Sequence, residues 1–124
     1  MDKHTCQGII ITCIDFRFQA FIDKWINLHF QKGDFDRVAL AGSIFDLPAV
    51  VKQIEISHNL HHIKEVVLIN HEDCGAYGKE GNYERHVKDL NLAKEKIQQL
   101  LPDLKVSLYY LHLDGAFERI ENSK

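Results

Sequence analysis

Four short apolar runs divide the chain and predict four β-strands. They cover residues near 8–12, 37–41, 65–70 and 105–111. The first three runs lack polar alternation and are rich in β-branched residues, which is typical of strands that are buried on both faces of a parallel sheet. The fourth run alternates in part, so we expect it to lie at an edge of the sheet.

Apolar residues that recur at spacings of three and four predict a helix after each of the first three strands. These helices cover the stripe from Phe18 to His29, residues 47–60, and the segment from Tyr83 to Leu101. A proline stands in the first turn of the second helix, where its missing N–H is tolerated, and another proline follows the end of the third. We expect a further short helical turn near Phe117–Ile120.

The alternation of strands and helices predicts an α/β fold. We expect a three-layer αβα arrangement around a mainly parallel four-stranded sheet, with the strand order 2-1-3-4 and right-handed crossovers. A length of 124 residues suits one domain, so residues 1–124 are interpreted as a single unit. In such sheets ligands bind beyond the carboxyl ends of the strands, so the residues that follow each strand are the candidates for chemistry.

Composition narrows the classes of function. Fifteen Lys and Arg stand against eighteen Asp and Glu, and the net charge of −3 argues against a strongly basic nucleic-acid-binding protein. No apolar run reaches the roughly 18 residues of a membrane span, and no secretory signal is recognisable. We therefore expect no nucleic-acid or membrane partner and a cytoplasmic location. Three cysteines favour reduced thiols over a disulfide framework, and eight histidines direct the search to metal chemistry.

Two strand ends carry metal-ligand residues. Cys13 follows the first predicted strand, and His71 and Cys74 follow the third. Because these strands are neighbours in the predicted order, two thiolates and one imidazole converge, which is a natural ligand set for Zn²⁺. Three protein ligands leave the fourth tetrahedral position open, as catalytic zinc sites require.

Asp15 and Arg17 follow Cys13 at a spacing of two, which in an extended chain places all three side chains on one side. Arg17 can hold Asp15 ionised through a bidentate contact, and the carboxylate can then accept a hydrogen bond from a hydroxide on zinc. Gly42 and Gly75 mark positions where the backbone turns tightly or approaches another group closely. We expect both glycines at the substrate pocket.

The segments Cys-x-Asp-x-Arg, Ala-Gly and His-x-x-Cys-Gly at successive strand ends resemble the beta-class carbonic anhydrase family. The resemblance implies that Cys13, His71 and Cys74 hold zinc and that Asp15 and Arg17 form the catalytic dyad. It implies a zinc lyase that reversibly hydrates CO2 to bicarbonate, with zinc-bound hydroxide as the nucleophile. It also implies a homodimer or higher homo-oligomer whose active sites lie near the subunit interface.

The sequence leaves three other functions open. The second-strand segment reads Arg-Val-Ala-Leu-Ala-Gly-Ser, whereas the family usually has Arg-Asn-Ala-Gly-Asn, and an altered pocket could hydrolyse carbonyl sulfide or carbon disulfide. A non-catalytic zinc-binding module would have Asp15 or a thiol in the fourth position. A thiol redox protein would use Cys13 and Cys74.

Other potential ligands lie away from this constellation. We interpret Cys6 as a small residue near the first strand rather than as a fourth ligand. The group His58, His61 and His62 is interpreted as a solvated helix end rather than as a second metal site.

Overall fold

The computed structural model describes residues 4–121, whose strands form one five-stranded sheet. In chain order the elements are β1 (Gly8–Cys13), α1 (Gln19–His29), β2 (Phe35–Leu40), α2 (Leu47–His61), β3 (Glu65–His71), α3 (Tyr83–Leu100), β4 (Lys105–Leu111) and β5 (Phe117–Ile120). Short 3₁₀ helices cover Phe16–Phe18, Ser43–Phe45 and Gly78–Glu80. The strand order is β2-β1-β3-β4-β5, and β1 to β4 pair in parallel, so the predicted α/β class and the order 2-1-3-4 of the first four strands are confirmed.

The sheet lies between two helical layers, as predicted. On one face, α1 packs through Ile22 and Ile26 against Ile10 of β1. On the other face, α2 and α3 pack against Ile9 and Ile11, the alternate residues of the same strand. Successive side chains of a strand point to opposite faces, so a continuous apolar run fills both layers. Within residues 4–121 no helix has both the length and the apolar character to span a bilayer.

The far end of the sheet differs from the prediction. Residues Phe117–Ile120 form β5, antiparallel to β4, rather than a helical turn, so the sheet has five strands and not the predicted four. The chain reverses through a loop in which Gly115 has a φ of 93° and His112 N donates a hydrogen bond to Ala116 O at 2.9 Å. The Asp-Gly pair in this loop is a recognised hairpin signal. Because β5 pairs with β4, the prediction that the fourth strand lies at an edge is wrong.

Parallel pairing brings the carboxyl ends of β1, β2 and β3 to one edge of the sheet. β1 ends at Cys13, β3 ends at His71, and β2 ends at Leu40, one residue before the predicted end. The 3₁₀ helices follow these three strands and keep the next residues near the same edge. The chemistry-bearing segments of the sequence therefore lie together, where ligands bind in α/β sheets.

Candidate metal centre

Two thiols and one imidazole converge where β1 and β3 end. Cys13 closes β1, His71 closes β3, and Cys74 lies in the turn three residues further on. One ligand atom from each residue lies within 4.8 Å of the other two. All three residues are buried, with exposed fractions of 6% for Cys13, 2% for His71 and 5% for Cys74. The structure thus brings together the three residues that the sequence analysis selected as metal ligands.

The ring of His71 is held so that one nitrogen stays available. Its Nδ1 donates a hydrogen bond to the carbonyl oxygen of Glu72 at 2.7 Å, and the ring stacks on Phe18 with the centroids 4.2 Å apart. Because Nδ1 carries the hydrogen, Nε2 of the neutral ring carries a lone pair. Nε2 is buried and has no hydrogen-bond partner among residues 4–121. An unpaired buried nitrogen is costly, and a metal ion would satisfy it.

The electrostatics of the metal-free site favour a thiolate on Cys13. The adjacent Cys74 thiol is the largest influence, and it lowers the pKa of Cys13 together with His71 and the backbone N–H of Gly42. The same proximity, with burial, raises the pKa of Cys74. Burial disfavours a charged ring on His71, but the Cys13 thiolate and the Glu72 carbonyl raise the pKa of His71 overall. A cation at this point would displace the remaining protons, since metal ligands are thiolates and neutral imidazoles.

Asp15 and Arg17 form a bidentate pair beside the thiols. Arg17 Nε donates to the two carboxylate oxygens at 3.1 and 3.2 Å, and Arg17 Nη2 donates to Oδ2 at 2.7 Å. The guanidinium lowers the pKa of Asp15 to about 2, so this carboxylate is ionised at neutral pH. Oδ2 of Asp15 lies 3.8 Å from Nε2 of His71, so the acid borders the ligand cluster.

The backbone of this pair differs from the extended chain that its spacing predicts. Asp15 caps the 3₁₀ helix Phe16–Phe18, and its carboxylate accepts a hydrogen bond from Arg17 N at 3.0 Å. Arg17 therefore reaches Asp15 across a helical turn. Gln19 Nε2 donates to the carbonyl oxygens of Cys13 and Asp15 at 3.1 and 2.8 Å, and so ties this turn to the end of β1.

Arg17 also binds a second acidic residue, Asp73, which the sequence analysis did not predict. Arg17 Nη1 donates to Asp73 Oδ2 at 3.1 Å, and Nη2 donates to the Asp73 carbonyl oxygen at 3.0 Å. Asp73 has a φ of 59°, a left-handed conformation that Asp adopts more readily than most residues. Its place inside the His-x-x-Cys motif was the available signal. The guanidinium is thus bound to the segments that follow both β1 and β3.

An open cleft of about 580 Å³ adjoins these groups, lined by Cys13, Ile14, Asp15, Phe16, Arg17, Ala41, Gly42, Asp73, Gly75 and Ala76. Gly42 and Gly75, which the sequence analysis expects at a substrate pocket, both line this cleft. Gly42 has a φ of 84°, and its N–H donates to Cys13 Sγ at 3.3 Å, so the close backbone approach expected there is made to the Cys13 sulfur. Ile14 and Phe16 are 57% and 85% exposed, which gives the cleft an apolar rim.

Residues 3–121 match the protein family described as putative carbonic anhydrase. The chain belongs to this family. A relative from Rickettsia bellii (strain RML369-C), called an uncharacterized protein, is 33% identical over 131 aligned positions that cover 90% of this chain and 80% of the relative. The resemblance drawn from the strand-end motifs is therefore confirmed.

Solved structures extend the likeness of this putative carbonic anhydrase family member to its fold. Carbonic anhydrase from Streptococcus mutans superposes with a TM-score of 0.69 at 17% identity, covering 98% of this chain and 86% of that one. Beta-carbonic anhydrase isoform I from Trichomonas vaginalis gives 0.62 at 16% identity, covering 100% and 87%. A carbon disulfide hydrolase in its apo form gives 0.62 at 15% identity, covering 97% and 81%. The fold is that of the beta-class carbonic anhydrases.

Proposed function

We propose that this protein is a zinc lyase that reversibly hydrates CO2 to bicarbonate. The observation that carries the proposal is the buried Nε2 of His71, which has no hydrogen-bond partner within residues 4–121 and belongs to a cluster with two thiols whose ligand atoms lie within 4.8 Å of one another. Cys13, His71 and Cys74 would hold the metal, and two sulfurs with one nitrogen are a donor set that suits zinc. Membership of the putative carbonic anhydrase family supports the same reaction.

Zinc held by these residues would lower the pKa of a water molecule to about 7 and would thereby supply a nucleophile near neutral pH. The protein itself supplies orientation. Asp15, whose pKa is lowered to about 2, is ionised throughout the neutral range and can only accept a hydrogen bond. As an acceptor it aligns the nucleophile with the carbon of CO2, and its low basicity makes it unsuited to remove a proton.

Arg17 acts through Asp15. Its Nε and Nη2 atoms engage both carboxylate oxygens, while Nη1 is anchored on Asp73. These contacts hold the carboxylate beside the metal ligands and oppose its movement onto the metal, which would close the fourth coordination position. Arg17 is therefore a positioning residue, and Asp15 is the group that contacts the nucleophile.

A second candidate reaction uses the same site. CO2 and carbon disulfide are both small, linear and apolar, and the cleft beside Cys13 has apolar walls at Ile14, Ala41 and Ala76. The fold likeness to a carbon disulfide hydrolase, at a TM-score of 0.62, adds to this reason. Hydrolysis of carbon disulfide or carbonyl sulfide is therefore the alternative, and release of sulfide distinguishes it from CO2 hydration.

The decisive experiment measures elemental zinc and stopped-flow CO2 hydration on one sample. We expect at least about one zinc ion per chain, hydration near background in Cys74→Ala and a severe loss in Asp15→Ala. Asp23→Ala is the matched control, because Asp23 forms an Asp–Arg pair with Arg37 at 2.7 Å outside the cleft.

Three results would count against hydration. Zinc at this site without activity above buffer from pH 7 to 9 would contradict the proposal. Sulfide release from carbon disulfide by the same sample would favour the second reaction. Metal-edge absorption that shows four protein ligands at every accessible pH would favour a non-catalytic zinc module with Asp15 as the fourth ligand.

We further propose that the protein forms a homodimer or higher homo-oligomer. Ile14 and Phe16 expose 57% and 85% of their surface at the rim of the cleft, and β2 is an edge strand of the described sheet. A second copy over this rim would bury apolar surface and enclose the cleft. Light scattering after gel filtration should give a molecular mass that is a multiple of the 14.4 kDa chain mass. The mass should be lower in Phe16→Asp. The three free cysteines suit a reducing compartment, so the proposal includes a cytoplasmic location.

A further inference from the structure

A second group of metal-ligating side chains lies at the opposite end of β1 from the candidate zinc centre. Cys6 precedes β1, Asp36 lies in β2 opposite Ile9, and His61 is the last residue of α2. One ligand atom from each of Cys6, Asp36 and His61 lies within 4.8 Å of the other two. The length of β1, about 17 Å, separates this group from Cys13.

His4 lies beside His61, one member of this group. The Nε2 atoms of His4 and His61 lie 3.1 Å apart, and the two rings meet edge to face with their centroids 4.6 Å apart. A hydrogen bond between two ring nitrogens needs one proton between them. Two histidines on a tetrahedral zinc ion, with Zn–N bonds of about 2.0–2.1 Å, have their nitrogens about 3.3 Å apart. A cation can therefore replace that proton with little movement of either ring.

Asp36 orients His61 for this task. Its Oδ2 accepts hydrogen bonds from His61 Nδ1 and from Ser57 Oγ, each at 2.6 Å. The side chains of His61 and Asp36 are 27% and 29% exposed, so the pair is half-buried. Because Nδ1 donates to the carboxylate, Nε2 of the neutral His61 ring carries the lone pair that faces His4. A carboxylate on the far nitrogen is the arrangement that orients histidine ligands in metal sites.

The backbone places Cys6 beside the same ring. Cys6 N donates to the carbonyl oxygen of His61 at 3.1 Å, and the thiol makes a long contact of 3.7 Å with Gly8 O. Burial and the charge of Asp36 raise the pKa of Cys6, so the thiol keeps its proton until a cation displaces it. Cys6 therefore lies beside His61 along the backbone, with its sulfur within 4.8 Å of a ligand atom of Asp36 and of His61.

We propose that His4, Cys6 and His61 bind a second divalent cation of the zinc class, with Asp36 as the residue that orients His61. One sulfur and two imidazole nitrogens favour zinc over magnesium or calcium, which prefer oxygen ligands. Three protein ligands leave room for water at this half-exposed position. The bound ion would fasten the segment before β1 to the end of α2. Under this proposal Cys6 would be a metal ligand rather than only a small residue near the first strand, and His61 would be a ligand rather than part of a solvated helix end.

Cobalt provides a test that is independent of the first site. The chain has three cysteines, so Cys13→Ser/Cys74→Ser leaves Cys6 as its one thiol. Titration of this double variant, as the full chain without an affinity tag, with Co²⁺ should produce a thiolate-to-metal charge-transfer band. The band should disappear when Cys6→Ser or His61→Asn is added. A folded double variant that binds Co²⁺ without such a band would overturn the proposal, whatever the protein does with CO2.

Zinc content in the otherwise unchanged chain gives a second readout if the double variant does not fold. We expect about two zinc ions per chain in the wild type and about one in Cys6→Ser and His61→Asn. Asp36→Asn should weaken the second site by roughly 10–100-fold, as the loss of an orienting carboxylate does. His58→Asn is the matched control, because His58 is also on α2 and pairs with a carboxylate, Asp103, at 3.0 Å.

The outcomes separate the two sites. The second site is supported if Cys6→Ser and His61→Asn each lose one zinc ion but hydrate CO2 at the wild-type rate. The control His58→Asn should keep the zinc content of the wild type. If the zinc content of Cys6→Ser equals that of the wild type, the group around Asp36 is a hydrogen-bonded cluster and the proposal is wrong. Loss of hydration in Cys74→Ala, or its absence in the wild type, bears only on the first site.

Discussion

Gly42→Ala tests how closely the backbone is built around the candidate metal centre. Gly42 has a φ of 84°, and a Cβ added there would lie 2.7 Å from Cβ of Phe45 and 3.1 Å from Cβ of Ala76. The substitution therefore combines a left-handed backbone with steric overlap against two side-chain carbons that are attached directly to the backbone and cannot rotate away. Both costs fall on the turn whose N–H donates to Cys13 Sγ at 3.3 Å.

The expected effect is large for the addition of one methyl group. A non-glycine residue in the left-handed region costs about 1–2 kcal/mol, and an extra methyl group forced into packed space costs about 1–3 kcal/mol. We expect the free energy of unfolding to fall by about 2–5 kcal/mol. Displacement of the Gly42 N–H from the sulfur should also weaken zinc binding by roughly 10-fold or more, since this N–H supports a ligand atom.

Alanine substitutions at two other glycines distinguish the cost of the left-handed backbone from the cost of steric overlap. Gly33 has a φ of 73° with no atom within 4 Å of an added Cβ, so Gly33→Ala measures the left-handed backbone alone. Gly75 lines the same cleft, lies outside the left-handed region and also has no atom within 4 Å of an added Cβ. We expect a loss of about 1–2 kcal/mol in Gly33→Ala. Stability in Gly75→Ala should be unchanged or raised by up to about 1 kcal/mol.

Urea unfolding of the chelator-treated proteins at pH 7 provides these free energies without a contribution from bound metal. Competition with a chromophoric chelator then provides the zinc affinities. Equal stability of Gly42→Ala and Gly33→Ala would show that the turn relaxes around the new methyl group, and the packing argument would be refuted. Wild-type stability in Gly42→Ala would refute both parts of the reasoning.

Three further predictions address the charges and ligands of the site. In carboxyl NMR of the metal-free protein, Asp15 should titrate with a pKa of about 2, and Arg17→Met should return that pKa towards 3.8, because the guanidinium is the main cause of the shift. CO2 hydration should fall in Arg17→Met. It should stay unchanged in the control Arg37→Met, which removes an arginine outside the cleft. A wild-type hydration rate in Arg17→Met would contradict the positioning role of Arg17. His86 is fully buried, which lowers its pKa from 6.5 to about 4. Between pH 6.5 and about 4 the unfolded chain binds a proton at His86 that the folded protein does not, so the free energy of unfolding should fall as the pH drops through this range. The fall should be smaller in His86→Gln. Titration of the His86 ring near pH 6.5 in the folded protein would count against this prediction. Cys74→Ser should retain the fold and lose zinc affinity, because a hydroxyl is a poor zinc ligand at neutral pH; undiminished zinc at the first site would exclude Cys74 as a ligand.

Most of the sheet and helices could be predicted from local patterns. The apolar runs placed β1, β3 and β4 within a residue or two, and helical spacing located α1, α2 and α3. Periodicity works here because each strand is buried on both faces and each helix buries one. The hairpin to β5 was missed because a four-residue strand has too little pattern of its own, although the Asp-Gly turn before it was a usable signal.

The candidate site could likewise be predicted only in part from the sequence. Cys13, His71 and Cys74 were found from residue type and from their position after strands, because parallel pairing sends neighbouring strand ends to one edge. The contact of Arg17 with Asp73 was not found, since it joins residues 56 positions apart. The Gly42 N–H on the Cys13 sulfur depends on a backbone angle that residue type permits without requiring.

The amino-acid order by itself determined which side chains could bind a soft divalent cation and which strand ends would carry them. Tertiary structure decided which nitrogen of His71 has no hydrogen-bond partner among residues 4–121, and which acid binds Arg17 besides Asp15. It also decided that Cys6, Asp36 and His61 lie together. The physical reason is the sequence separation over which each kind of interaction acts. Periodicity and capping act over a few residues, whereas burial, tautomer and ligand geometry depend on atoms that meet only after distant segments have packed.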